Sequence, residues 1–258
     1  MKTPSKLSDS YAVILCGGRG LRMGTLTRHV PKPLVLINGK PILWYIFREL
    51  YSIGFRKFIF PLGYLGNMIK SYVDRNFAQL NCEIVLVDTG INTPIARRLA
   101  KIARFIPDGK DFLLLNGDAF FRFDLKEMYK KHSRTKSWLT LASAEIVSNY
   151  GLIYEKNGRV INFDRDAKID RYGLSGKKNN YGFIYSGIAF LNKRALTATN
   201  LRQCDSFEEK LYPLLIRKGK ATHWAAKGFW HSVDSPKDIQ QAENIVRKFK
   251  LTTLREIK

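Results

Sequence analysis

Four side chains in this sequence could together manage a reaction between anions: two cations, Arg22 and Lys32, and two carboxylates, Asp118 and Asp234. Arg22 closes a glycine-rich stretch, Gly17-Gly18-Arg19-Gly20-Leu21-Arg22, that follows the apolar run Tyr11–Cys16. Glycines lack the Cβ that would hold a ligand off, so backbone N–H groups can close around anionic oxygens. The guanidinium adds a forked set of donors that keeps its charge, and Lys32 adds a compact point charge. Pro31 and Pro33 fix the backbone on both sides of Lys32, so a stiff segment presents it. Asp118 and Asp234 each follow a strand-like run, in LLLNGD and FWHSVD. Two carboxylates gathered beside a phosphate cradle make a hard-oxygen site suited to Mg²⁺. Either aspartate alone could instead serve a turn or cap a helix, Asp234 especially, because Ser235-Pro236 follows it.

The glycines by themselves also suit a plain tight turn. Two common phosphate motifs are excluded: no acidic residue stands about twenty positions on to hold a ribose, and no Gly-Lys-Ser/Thr follows as in a P-loop.

The elements that must position these groups alternate. Tyr11–Cys16 reads as a buried strand, and Pro41 opens an amphipathic helix, PILWYIFRELYSI, that Gly54 closes. Strands are expected at 56–62, 83–88 and 111–116, with helices near 65–77 and 94–105 between them. Such alternation predicts an α/β fold, a mostly parallel doubly wound sheet with right-handed crossovers. Ligands in these sheets sit at the carboxyl ends of the strands, where Gly17, Asp88 and Asp118 all fall. From Trp138 the chain turns β-rich (138–146, 150–154, 159–163, 183–192), with a hairpin turn at Asn157-Gly158. The polar stretch 166–180 reads as a mobile loop. Helices at 206–218 and 235–249 flank a final strand pair that ends at Asp234. No linker or internal repeat interrupts the chain. A single domain over 1–258 is expected, with one half at 11–135 and a smaller β-rich half at 136–258.

Composition bounds the setting. The 258 residues, 45% of them apolar, suffice for a buried core, and three widely spaced cysteines suit a reducing compartment rather than a disulfide framework. No apolar run approaches the roughly 18 residues that span a bilayer, and the N-terminal stretch lacks the apolar core of a signal peptide. A cytoplasmic protein is the expectation. The net charge of +22 favours anionic partners, but the cations are spread, and none of the common nucleic-acid-binding motifs is present. No specific nucleic-acid partner is therefore expected.

The combination of strand, Gly-Gly-x-Gly-x-Arg and Pro-Lys-Pro resembles the opening signature of the sugar-1-phosphate nucleotidyltransferases. The resemblance runs from Val13 to about Asn244 and takes in LLLNGDAFFRFDL, YGLIYEKNGRVINF and YSGIAFLN. Within that family VDTGINTPIARRL, PILWYI and GFWHSVDSPKD are similar to the glucose-1-phosphate cytidylyltransferase branch. The resemblance implies a nucleotide site of Leu15, Gly17, Gly18, Gly20, Arg22, Lys32, Asn116 and Gly117, with Thr89 and Gly90 near the base. It implies Mg²⁺ on Asp118 and Asp234, catalytic charges on Arg22 and Lys32, and an acceptor site at Tyr150, Gly151, Lys168 and Gly187, with 11–135 as the nucleotide-binding half and 136–258 as the acceptor-binding half. The partners would be CTP and a phosphorylated acceptor such as glucose 1-phosphate, joined by a homo-oligomer that makes nucleotide sugars for cell-surface polysaccharide.

Three departures stand out, two of them on the acceptor side. The family's Gly-Thr-Arg is Gly20-Leu21-Arg22 here, its Glu-Lys-Pro is Arg165-Asp166-Ala167, and an Asn before the acceptor-strand glycine is replaced in Tyr185-Ser186-Gly187. An acceptor other than glucose 1-phosphate, with Lys168, Arg165 or Arg171 gripping its phosphate, is one alternative, and a catalytically inactive regulatory relative is another.

Overall fold

The computed structural model describes residues 7–147, 152–164, 167–173 and 181–251. Seven strands form its central sheet: β1 (Tyr11–Leu15), β2 (Lys57–Leu62), β3 (Glu83–Asp88), β4 (Asp111–Asn116), β5 (Leu139–Ser143), β6 (Tyr185–Asn192) and β7 (Ala221–Ala225). Their order across the sheet is β7-β5-β6-β4-β1-β2-β3. All neighbours pair in parallel except β6, which runs against both β4 and β5. The mostly parallel α/β sheet expected from the alternation is present, and it takes strands from both halves of the chain.

Because strand side chains alternate between faces, the apolar runs feed two cores. Ala12 and Ile14 of β1 join Leu113 and Leu115 of β4 in one, while Tyr11 and Val13 join Phe112 and Leu114 in the other. Helix Ile42–Ile53 covers the first face and helices Ile95–Ile102 and Phe207–Arg217 the second. Gly54 ends the first of these helices at φ 121°, its N–H turned back to the carbonyls of Leu50 and Tyr51. Asn157 and Gly158 both take positive φ, the type I′ geometry that suits a two-residue hairpin turn.

Two expectations are corrected. The last two strands do not pair with each other. Ala221–Ala225 adds to the sheet edge in parallel with β5, whereas Gly228–Ser232 leaves the sheet and pairs antiparallel with Ala119–Phe123. Rings of Phe120, Phe229 and His231 pack across that ribbon, a gain an isolated hairpin between the two strands would forgo. Nor are the described parts of 166–180 free loop. Lys168–Ile169 pairs with Ile146–Val147, and Arg171–Gly173 pairs with Tyr181–Phe183, so backbone groups there are held in ladders. Among the described residues, no helix is long and apolar enough to cross a membrane.

Candidate active site

Strands β1, β2, β3 and β4 end side by side, and each runs into a turn built on small residues: Gly17, Gly63, Thr89-Gly90 and Gly117. What ties three of these ends together is Arg98, on helix Ile95–Ile102, only 4% exposed. Its guanidinium donates to Leu62 O (2.9 Å), Gly17 O (3.0 Å), Ile91 O (3.1 Å) and the Thr89 hydroxyl. Burial pulls its pKa down against the pull of nearby Asp88, yet four acceptors keep the cation well satisfied. A Cβ on Gly17 or Gly63 would run into this guanidinium, which is the local reason for glycine at both positions. Sequence reading missed Arg98. The available signal was its place one helical turn before the buried Ile102, on the inward side of an amphipathic helix.

Lys32 starts the short 3₁₀ turn Lys32–Leu34, and its stem packs under Gly20. Its ammonium lies 2.7 Å from Asp118 Oδ2 and 2.9 Å from Asp234 Oδ1. Arg22 Nη2 reaches the same Asp234 oxygen at 2.9 Å. The Lys32 side chain is 9% exposed, Asp118 and Asp234 are 26% and 32% exposed, and Arg22 is 76% exposed. One cation is thus fixed at the floor, two carboxylates face partly outward, and a mobile-length arginine stands at the rim. Burial would raise the Asp234 pKa, but hydrogen bonds from Ser232 Oγ (2.6 Å) and Lys32, with the Lys32 and Arg22 charges, outweigh it and hold the carboxyl below its usual range.

Two segments deliver the aspartates. Asp118 follows β4 through Gly117, where a Cβ would sit 2.5 Å from Leu15 O. Asp234 follows the ribbon strand, and Val233 N–H bonds to Asp118 O at 2.9 Å. The alternative cap role belongs to its neighbours: the last helix is capped by Ser235 with Asp238, whose Oδ2 accepts from the Asp234 and Ser235 amides. The Asp234 carboxylate is left for the site.

Above this floor opens a cavity of about 670 Å³, walled by the 15–22 turn, by Asn116-Gly117-Asp118 and by Ile91–Ile95. Leu15, Gly17, Gly18, Gly20, Arg22, Lys32, Asn116, Gly117 and Asp118 all line it. Thr89 and Gly90 do not: Thr89 is fully buried behind the wall, its hydroxyl bonded to Leu62 O and Arg98. Arg19, which bonds Asn92 Oδ1 at 3.1 Å across the mouth, is a further lining residue the sequence reading passed over. Gly187 lies against the site, since a Cβ there would meet Asn116 Nδ2 at 2.5 Å. The neighbouring Ser186 is turned inward to Ala142 O. Lys168 stands apart from the cavity lining, paired with Glu145 at 2.8 Å on an exposed ladder. Tyr150, Gly151, Arg165 and Asp166 lie outside the described residues. His231 is partly buried, and its Nε2 lies 3.2 Å from Asp238 O.

The carboxylates fit a divalent cation. Both already converge on one ammonium, and among the described residues they are joined by no third His, Cys, Asp or Glu in a metal-holding group. A two-carboxylate set is what Mg²⁺ uses where substrate phosphates and water complete its shell.

The chain as a whole is similar to known proteins. The chain is 28% identical over 260 residues to the glucose-1-phosphate cytidylyltransferase of Salmonella typhimurium, covering 93% of this chain and 96% of that one. It is 26% identical over 240 residues to the D-glycero-alpha-D-manno-heptose 1-phosphate guanylyltransferase of Aneurinibacillus thermoaerophilus, covering 92% and 99%. Its fold is like that of HddC from Yersinia pseudotuberculosis, with a TM-score of 0.66 at 22% identity over 92% of this chain and 99% of that one. The model of the nucleotidyl transferase family matches residues 11–248, a span that contains Arg22, Lys32, Asp118 and Asp234. This chain belongs to the nucleotidyl transferase family.

Proposed function

We propose that the chain is a cytidylyltransferase that joins CTP to a phosphorylated acceptor, a sugar 1-phosphate, and releases pyrophosphate. The observation that carries this reading is the buried Lys32 ammonium shared by Asp118 and Asp234 at the floor of the glycine-walled cavity. An ionised phosphate oxygen of the acceptor attacks the α-phosphorus in line, the bond to the bridging oxygen breaks, and pyrophosphate departs with that oxygen. Both reactants are anions, so the protein's task is positioning and charge neutralisation. The glycine turn offers amides to the phosphates, and the exposed arm of Arg22 meets the leaving pyrophosphate. Lys32, fixed at the floor, balances charge at the α-phosphate as it grows. Asp118 and Asp234 are the residues that would hold Mg²⁺, which supplies further neutralisation of phosphate oxygens when bound. No general base is needed, and His231 is already engaged by Asp238 O.

The choice of CTP rests on the likeness of 87–99, of the helix start PILWYI and of the closing GFWHSVDSPKD to the cytidylyl branch, and on the named cytidylyl relatives. A guanylyl relative stands at nearly the same identity, so base choice is the point to test. Pyrophosphate release should be measured for four nucleoside triphosphates against a panel of sugar 1-phosphates. CTP-dependent release supports the proposal, a GTP preference moves the chain to guanylyl transfer, and no release with any pair supports an inactive regulatory relative.

A further inference from the structure

A second cavity, of about 520 Å³, opens on the outer side of helix Ile95–Ile102 and shares no lining residue with the first. Arg97, Lys101 and Arg104 enter it from one side, spaced at i, i+4 and i+7, and Arg202 enters from the 3₁₀ turn Leu201–Gln203 packed against them. Among the described residues, only one carboxylate lines the cavity, Asp88, and its Oδ1 is taken by the Gly90 amide at 2.8 Å. Arg97 has a partner in Asp205 (2.9 Å), and Lys101 donates to Thr89 O (2.6 Å). Neither Arg104 nor Arg202 forms an ion pair with a described residue. With Arg97 neutralised by Asp205, the three cations Lys101, Arg104 and Arg202 around Asp88 in a concave surface repel one another and focus a positive field into the hollow. That arrangement is favourable once an anion occupies it, and arginine forks match phosphate oxygens in particular.

We infer that this cavity is a second, non-catalytic binding site for a phosphorylated small molecule of about nucleoside monophosphate size. Its volume falls in the usual range for small-molecule sites, and Val87 supplies an apolar wall. A hollow of this kind suits a compact ligand better than an extended polyanion, which needs a stripe of cations to follow. The site stands back to back with the catalytic cavity. Lys101 holds the carbonyl of Thr89 from the outer side while Arg98, on the same helix, holds its hydroxyl and the Gly17 carbonyl from the inner side. The inference does not depend on which nucleotide the catalytic cavity takes.

The test is calorimetric titration of the whole chain with inorganic phosphate and with 5′-AMP. Wild type is compared with the double variant Arg104→Ala/Arg202→Ala and with Lys32→Ala, each checked by circular dichroism. We expect one binding component to weaken by about tenfold or more in the double variant, the loss of at least one charge-assisted hydrogen bond, and to persist in Lys32→Ala. Arg202→Glu alone serves as a second variant and should lose the same component. Equal binding to wild type and to both pocket variants overturns the inference. So does a single-stranded oligonucleotide that binds wild type more tightly than AMP and is released by the same substitutions.

Discussion

Replacing Lys32 by Met removes the ammonium between Asp118 and Asp234 but keeps an unbranched stem in its place. The two carboxylate oxygens it held are then no more than about 5.6 Å apart, the 2.7 and 2.9 Å contacts laid end to end. At that distance two unit charges repel by about 3 kcal/mol at an effective dielectric of ~20. Both carboxylates are about a quarter to a third exposed and Arg22 still reaches Asp234, so solvent and that cation reduce the cost to about 1–2 kcal/mol. The variant should therefore unfold at lower urea than wild type in EDTA. A divalent cation can stand in for the ammonium between the same oxygens, so Mg²⁺ should restore more stability to the variant than it adds to wild type. Urea melts of both proteins with EDTA and with Mg²⁺ read this directly. Equal EDTA stability, or a Mg²⁺ effect no larger in the variant, would refute the reasoning that these carboxylates form one cation site.

Other outcomes follow from the same geometry. Asp118→Asn should lower Mg²⁺-dependent pyrophosphate release by about a hundredfold or more while the melting curve stays close to wild type, as when one preorganised electrostatic group is removed. Arg98→Met should cost about 3 kcal/mol or more in urea melts, because the buried carbonyls of Gly17, Leu62 and Ile91 lose a charged donor together. Gly17→Ala should destabilise through collision with the Arg98 guanidinium, by about 1–3 kcal/mol. The lowered Asp234 pKa contributes stability that is fully present above the ordinary aspartate value of about 3.9 and is lost as pH falls through its lower folded value. Titration followed at the Asp234 side chain by NMR should show that depression, and Ser232→Ala, which removes one of its causes, should shrink it.

Much of this protein is written locally. The strand-to-glycine junction at 15–20, the Pro31-Lys32-Pro33 clamp, the start of helix Ile42–Ile53 at Pro41 and the turn at Asn157-Gly158 all rest on neighbours within a few residues. Backbone sterics and the periods of strand and helix suffice to read them, and they carry the parallel sheet and the line of carboxyl-end residues with them. The catalytic grouping is different in kind. Asp234 reaches Lys32 from 202 positions away because Gly228–Ser232 abandons the hairpin that the local sequence suggests and pairs with Ala119–Phe123. Which of two β partners a strand takes is decided by what its side chains meet across the ladder, here Phe229 and His231 against Phe120 of a distant segment, and not by the strand's own residues taken alone. Arg98 is hidden for the same reason. Among two adjacent arginines, only the packed helix decides that one binds Asp205 at the surface while the other is buried beneath three strand ends. Sequence periodicity marks which face of an element turns inward, but a buried charge is worth keeping only where tertiary structure delivers enough acceptors to satisfy it.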